Sequence, residues 1–328
     1  MKKALLIAVG LSLVASAAMA GLNPLVFELP KFSQPPTLDG DRGAEEWAGA
    51  LELECSVSQI FRDGDALGWR NLEEQQSEIS ANQLLENEGE DASIARTDDD
   101  AKANVWHGWD DDAFYYISEN RDNVRDVDGG PDTDPAHWWI RDSMSLYVDL
   151  TYAREGEEPN YVSLNIINFI GAPQNSSSVS ITWERTIEGT REPTQDPDLL
   201  EGFEYGYRFA EDEFGGEADY VIEGKMPWEV LQRFNLPGQP TVGTQFGFSW
   251  ILLDPDGNDG YGGQIQCWGW ADNPNDYSTM LFVETPAGPA AGTAVGDDSW
   301  GRIKSTFANK YRHGLKRIDA ENAIGEGL

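Results

Sequence analysis

Basic residues are scarce in this chain: 23 Lys and Arg stand against 58 Asp and Glu, for a net charge of −35 over 328 residues. Nucleic acid and anionic membrane surfaces would repel such a chain. Histidine is nearly absent, with His107, His137 and His313 alone. None has a recognisable partner in sequence. No H-E-x-x-H, no G-x-S-x-G, no phosphate loop and no dinucleotide fingerprint occurs, so the common zinc, serine-hydrolase and nucleotide chemistries have no foothold. A glycosidase needs only two placed carboxylates. With 58 acidic residues any fold supplies such a pair by accident, so the acids alone do not point to an enzyme. Long hydrophobic runs are also missing beyond the first twenty residues, which excludes membrane insertion by a conventional span.

That one run, "MKKALLIAVGLSLVASAAMA", has Lys2 and Lys3 at its start and Ala18-Met19-Ala20 at its end. It reads as a secretory signal peptide over residues 1–20. The expected location is therefore secreted, periplasmic or at the cell surface of a bacterium. The rest is rich in turn formers and aromatics, with 34 Gly, 17 Pro and 12 Trp. Segments with period-2 alternation recur between turn signals. "SMSLYVDL" (143–150) is the clearest, with Met144, Leu146, Val148 and Leu150 on one side and Ser143, Ser145, Tyr147 and Asp149 on the other. Eleven such segments, few helical patterns and no βαβ rhythm predict an all-β fold, an antiparallel β-sandwich of jelly-roll-like form. Residues 21–284 form that domain, interrupted at 61–100 by an acidic insertion. Met226–Leu231 reads as a strand end followed by one helical turn. Residues 285–298 read as a small-residue linker. Residues 299–328 form a basic helical tail with a short C-terminal helix, which fits a protein partner or the acidic body of the chain itself.

Three groups of residues bear on function. Cys55 and Cys267 each fall in the apolar phase of a strand; a single long-range disulfide and two buried thiols both stay open. Asp254, Asp256 and Asn258 alternate as at the start of a calcium loop. Gly260 comes late and no acid closes the loop, so this is no EF-hand. Trp268 and Trp270 share a strand phase with Gln266 opposite Cys267, and Trp138 and Trp139 directly precede the 143–150 strand. If Ile265 and Cys267 face the core, Trp268 and Trp270 face outward. Indoles held near water beside polar side chains suit the flat apolar face of a sugar ring. Trp47, Trp106, Trp228 and Trp250 are assigned to the core.

Six segments, in order, resemble signatures of the family 9 carbohydrate-binding modules (CBM9-like) and their wider relatives. They are "PPTLDGDRGAEEW" (35–47), "ANVWHGWDDDAFYYISENRDN" (103–123), "WIRDSMSLYVD" (139–149), "YVIEGKMPWEVL" (220–231), "GTQFGFSWILLDPDG" (243–257) and "WGWADNPNDYSTMLF" (268–282). The resemblance implies a β-sandwich and a non-catalytic module that grips sugar between two tryptophans and holds structural calcium. By motif position, Trp139 matches the first clamp residue and Trp270 the second. Trp138, Trp268, Arg141 and Asn165 complete the expected ligand-binding set.

The chain departs from the pattern at two places. The Glu of the "D-S-V-E" signature is Ser145, and the Arg of the next strand is Ser163, so charge-assisted bonds to sugar hydroxyls are lost. The leading expectation is an exported, non-catalytic carbohydrate-binding protein in xylan- or cellulose-type polysaccharide catabolism. Two others stand beside it. One is a cell-surface structural or interaction module with a lapsed sugar site. The other is a b-type haem electron-transfer protein, with Met144, Lys225 and Met226 as candidate axial ligands by residue type. If the chain is tied to catalysis at all, it is as an accessory of a glycoside hydrolase.

Overall fold

The computed structural model describes residues 25–56, 58–59, 97–99, 101–122, 142–152, 165–175, 178–187, 190–192, 197–210, 219–234, 236–254, 264–269 and 277–287. The signal segment and the basic tail lie outside these residues, as does the expected 61–100 insertion apart from 97–99.

Among the described residues thirteen strands carry the fold: β1 (Val26–Phe32), β2 (Leu51–Ser56), β3 (Ala101–Trp109), β4 (Ala113–Asp122), β5 (Ser143–Asp149), β6 (Asn165–Asn175), β7 (Ser178–Ile187), β8 (Thr190–Glu192), β9 (Glu204–Ala210), β10 (Asp219–Pro227), β11 (Gln245–Leu253), β12 (Gln264–Cys267) and β13 (Ser278–Ala287). One helix, α1 (Trp228–Arg233), follows β10, as the sequence predicts for that stretch. Pro227 ends the strand, and its missing N–H costs nothing at a helix start. The hydrogen-bonded order is β8-β7-β6-β5-β11-β13-β1-β3-β4-β10-β9, with β12 on β11 and β2 on β3.

This continuous sheet closes over itself into two layers. In strand order β11 is separated from β3 by β13 and β1, yet Trp250 of β11 donates its indole N–H to Nε2 of His107 on β3 at 2.9 Å. The two layers are joined at one end through β13 and β1. The antiparallel sandwich expected from sequence holds with one exception: β1 runs parallel to both β13 and β3. β1 pairs with β13 from Val26 to Leu29, shifts register, resumes that pairing at Lys31 and Phe32, and on its other side meets Trp109 of β3 through Lys31. At the other end Cys55 of β2 and Cys267 of β12 form a disulfide across the layers, with Cα atoms 5.6 Å apart and both cysteines fully buried. Of the two readings open for these cysteines, the structure holds the bridge. It sits where the β13–β1 hydrogen bonds no longer tie the layers.

The interior holds the alternating apolar phase of every layer: Phe114 and Tyr116 of β4, Met144, Leu146 and Val148 of β5, Phe248, Trp250 and Leu252 of β11. A second, smaller core lies on the outer face of β3, β4 and β10. There Phe32, Trp47 and Ala50 cover Trp106, Tyr115, Ile117 and Val221. All four tryptophans assigned to the core from sequence are buried. β13 reaches Ala287, three residues into the stretch expected as linker. Ala287 is buried there and accepts the Ser33 N–H at 3.1 Å.

Candidate functional site

Most residues of the sequence signatures build the frame. Asp110 turns the chain between β3 and β4: its Oδ1 accepts the N–H groups of Asp112 and Ala113, each at 2.8 Å, and its Oδ2 accepts the Tyr115 hydroxyl at 2.8 Å. The side chain satisfies donors that the tight turn leaves open. Its carbonyl accepts the Trp228 indole N–H at 3.0 Å. Burial and the Asp110 carboxylate together raise the Tyr115 phenol well above its usual range. Asp149 closes β5 in the same way, its Oδ1 accepting from the Thr151 and Tyr152 amides, each at 3.1 Å. Gly40 of the "TLDG" stretch donates its N–H to Oε2 of Glu223 at 2.8 Å. These are backbone-capping roles.

At one end of the interior the apolar phase turns acidic. Asp122 continues the phase of Phe114 and Tyr116, Asp142 leads into that of Met144, and Asp254 follows Leu252. All three are buried, and one carboxylate oxygen from each lies within 4.8 Å of the others. Tyr220, facing the interior from β10, is 2 % exposed and its hydroxyl finds no hydrogen-bond partner. Burial, then the charges of Asp142, Asp122 and Asp254, push that phenol well above its usual range. Beside it Asn120 donates to Ser118 Oγ at 3.0 Å and to the Tyr220 carbonyl at 3.3 Å, leaving its own Oδ1 unpartnered. Of the calcium ligands expected from sequence, only Asp254 stands in this cluster; Asp256 and Asn258 lie outside the described residues. Asp122 and Asp142 escape a search for loop spacing because three separate strands deliver the acids. The readable signal was a different one: an Asp prolonging a core phase at each strand end.

The second face of the β5–β11–β12 layer is lined by Ser143, Ser145 and Tyr147 of β5, Ser249 and Ile251 of β11, and Gln266 of β12. All six are buried, so β5 is covered on both sides rather than half-exposed as its alternation predicts. Ser249 Oγ donates to the carbonyls of Cys267 and Gly269, at 3.2 and 2.9 Å. Ser145, standing where the family signature has Glu, is fully buried and its hydroxyl has no hydrogen-bond partner.

Trp268 corrects the sequence reading. It is 8 % exposed and packs edge-on against Phe27, with ring centroids 5.2 Å apart. β12 ends at Cys267, and Trp268 takes φ +71°. That left-handed turn breaks the alternation and swings the indole into the interior. Trp138, Trp139, Arg141 and Trp270 lie outside the described residues, as does the side chain of Asn165, whose backbone opens β6. The candidate haem ligands do not all share one face. Met144 and Met226 belong to the interior core, whereas Lys225 points out from the other face of β10 into an ion pair with Glu204. His107 is structural: burial holds its pKa down, at about 3, and its neutral ring accepts from Trp250.

No family model matches the sequence, and no curated protein does. Among solved structures, the chain is similar to a family 9 carbohydrate-binding module from Caldicellulosiruptor kristjanssonii. The likeness to its glucose complex has 13% identity and a TM-score of 0.45, covering 79% of this chain and 96% of that one. For the cellotriose complex the identity is 14% and the TM-score 0.45, covering 81% and 96%. A Bacteroides uniformis protein described as carbohydrate-binding is similar at 10% identity and a TM-score of 0.42, over 79% of this chain and all of that one. Likenesses this distant carry no function across, so the functional reading rests on the residues themselves.

Proposed function

We propose that this chain is an exported, non-catalytic carbohydrate-binding protein whose sugar is held by Trp139 and Trp270 at the margin of the second, covered face of the β5–β11–β12 layer. The observation that carries the reading is the floor of that face. Three of its six side chains are serines, beside Tyr147, Ile251 and Gln266, and Ser145 keeps a buried hydroxyl with no protein partner, a polar group of the kind a sugar hydroxyl satisfies. Trp139 shares the odd-numbered phase of Ser143 and Ser145, three residues before Asp142. Trp270 follows Cys267, the residue pinned by the disulfide. The six ordered signatures support the same reading, as does the acidic surface, which suits a neutral ligand. With Ser145 and Ser163 in place of charged residues, binding depends more on stacking than on ionic hydrogen bonds.

Calcium belongs to this proposal. Asp122, Asp142 and Asp254 offer hard carboxylate oxygens in a buried cluster, and the buried Tyr220 phenol, its hydroxyl without a hydrogen-bond partner, feels their charge. Carboxylates drawn this close repel one another, and a divalent cation removes the repulsion. A cation held there would fix the chain at Asp142, the anchor of the segment that carries Trp139.

The deciding experiment is a titration of intrinsic tryptophan fluorescence with xylo- and cello-oligosaccharides, with and without calcium, on the wild type and Trp139→Ala. Saturable quenching that the variant loses supports the clamp. A folded, calcium-loaded wild type that responds to no sugar refutes it and turns attention to the basic tail as an interaction segment.

A further inference from the structure

Glu223 is a buried carboxylate that the sugar reading does not use. It is fully buried on the outer face of β10, and only one of its oxygens is occupied: Oε2 accepts the Gly40 N–H at 2.8 Å, while Oε1 has no partner. Two glycines make room for this contact. A Cβ on Gly40, which has φ +81°, would lie 2.4 Å from the Tyr207 carbonyl carbon. A Cβ on Gly206 would lie 2.8 Å from the Leu38 carbonyl carbon and 3.0 Å from Glu223 Oε2. The backbone of 38–41 is thereby laid directly over β9 and β10. Beyond this point the same segment forms the lid of the smaller core, with Trp47 edge-on to Phe32 at 5.3 Å.

We propose that residues 37–50 form a clasp over the outer face of β3, β4 and β10, fastened at Glu223 while that side chain carries its proton and loosened when it ionises. The charges around Glu223 fix the direction. From the segment come Asp39 and Glu46, both raising its pKa, together with Asp41 and Arg42. Each basic group nearby is engaged with another acid. Arg42 bonds Glu119 of β4 at 3.1 Å and stacks on Trp106; Arg208 of β9 pairs with Asp41 at 3.6 Å and donates to the Gly40 carbonyl at 3.1 Å; Lys225 of β10 pairs with Glu204 of β9. Among the described residues no salt bridge reaches Glu223. Burial first, then Asp39 and Glu46, push its pKa up to about 7, against the opposing Gly40 and Asp39 N–H groups. In the open segment the group returns to its ordinary value of 4.5. Opening therefore releases a proton between these two values, and rising pH favours it across that window. Between pH 5.5 and 7.5 the opening equilibrium shifts by about twentyfold.

The test is amide hydrogen exchange on the full chain at pH 5.5 and 7.5, expressed as protection factors so that intrinsic exchange rates cancel. The clasp predicts that protection of 37–50 falls about twentyfold at the higher pH, that β4 and β10 change far less, and that Glu223→Gln removes the pH dependence. Equal protection at both pH values overturns it. So does an equal fall in β4 and β10, which would mark global unfolding. Should Glu223→Gln fail to fold, a carbon-13 titration of the Glu223 carboxyl in the wild type decides the matter. A midpoint near 7 that coincides with the loss of protection over 37–50 upholds the clasp, and one near 4.5 sinks it.

Discussion

Acid should destabilise this protein through His107, and a variant at that position isolates the effect. The ring is fully buried among Phe114, Phe248 and Trp250, and its Nε2 accepts the Trp250 indole N–H at 2.9 Å. An imidazolium could not accept that bond and would lose its hydration as well. Burial accordingly lowers its pKa from 6.5 to about 3. Between those values the unfolded chain binds a proton that the folded chain refuses. Stability is full above pH 6.5 and is lost as pH falls toward 3, at about 1.4 kcal/mol per pH unit. At pH 5 the loss is about 2 kcal/mol. His107→Gln keeps an acceptor for Trp250 without titrating. Its packing defect lowers stability by an amount that does not depend on pH. Urea unfolding followed by tryptophan fluorescence at pH 4.5, 5.5, 6.5 and 7.5 then gives the difference between wild type and variant. Glu223 contributes a slope of opposite sign to both proteins and cancels in that difference. The gap should shrink by about 1.4 kcal/mol per unit as pH falls below 6.5. Parallel pH profiles would refute the reasoning, because they would mean that His107 is protonated as easily in the folded protein as in the unfolded one.

Further expectations concern the frame and the acidic end. Replacing both Cys55 and Cys267 by Ser frees a closure across a sequence separation of 212, worth about 5 kcal/mol at most in the chain-entropy account; the unfolding midpoint should match that of the reduced wild type. Gly40→Ala forces a Cβ into the Tyr207 backbone at a left-handed φ and should cost about 2–4 kcal/mol by thermal melting. Gly238→Ala, with nothing within 4 Å of the added Cβ, is the control and should stay within about 0.5 kcal/mol. Calcium at a hundredfold excess over its dissociation constant should stabilise the wild type by about 2.7 kcal/mol and leave Asp142→Asn unmoved; an equal response in both would remove Asp142 from the cation site.

The sequence by itself determined the all-β class, the helical turn after Pro227, and the membership of most of the core. Those features are written locally, in period-2 alternation and in residues such as Pro and Gly whose backbone limits act wherever they stand. It also carried the two cysteines in interior phases, so their bridge was one of two legible outcomes. Tertiary structure alone decided that bridge, because pairing depends on two strands meeting across the layers. The parallel run of β1 beside β13 was equally illegible, since strand direction leaves no mark on alternation. Trp268 was misread because a single left-handed residue reverses which way a side chain points, and nothing in "QCWGW" announces it beyond the neighbouring Gly269. The acidic triad was half legible. Each Asp prolongs a core phase at a strand end, a conflict visible residue by residue, but only the closing of β4, β5 and β11 over one another brings three distant carboxylates within reach of one ion. Glu223 shows the same division. A lone Glu in a strand reads as a solvated side chain. It is buried because two glycines, one on β9 and one in the segment before β2, let another stretch of backbone settle on top of it.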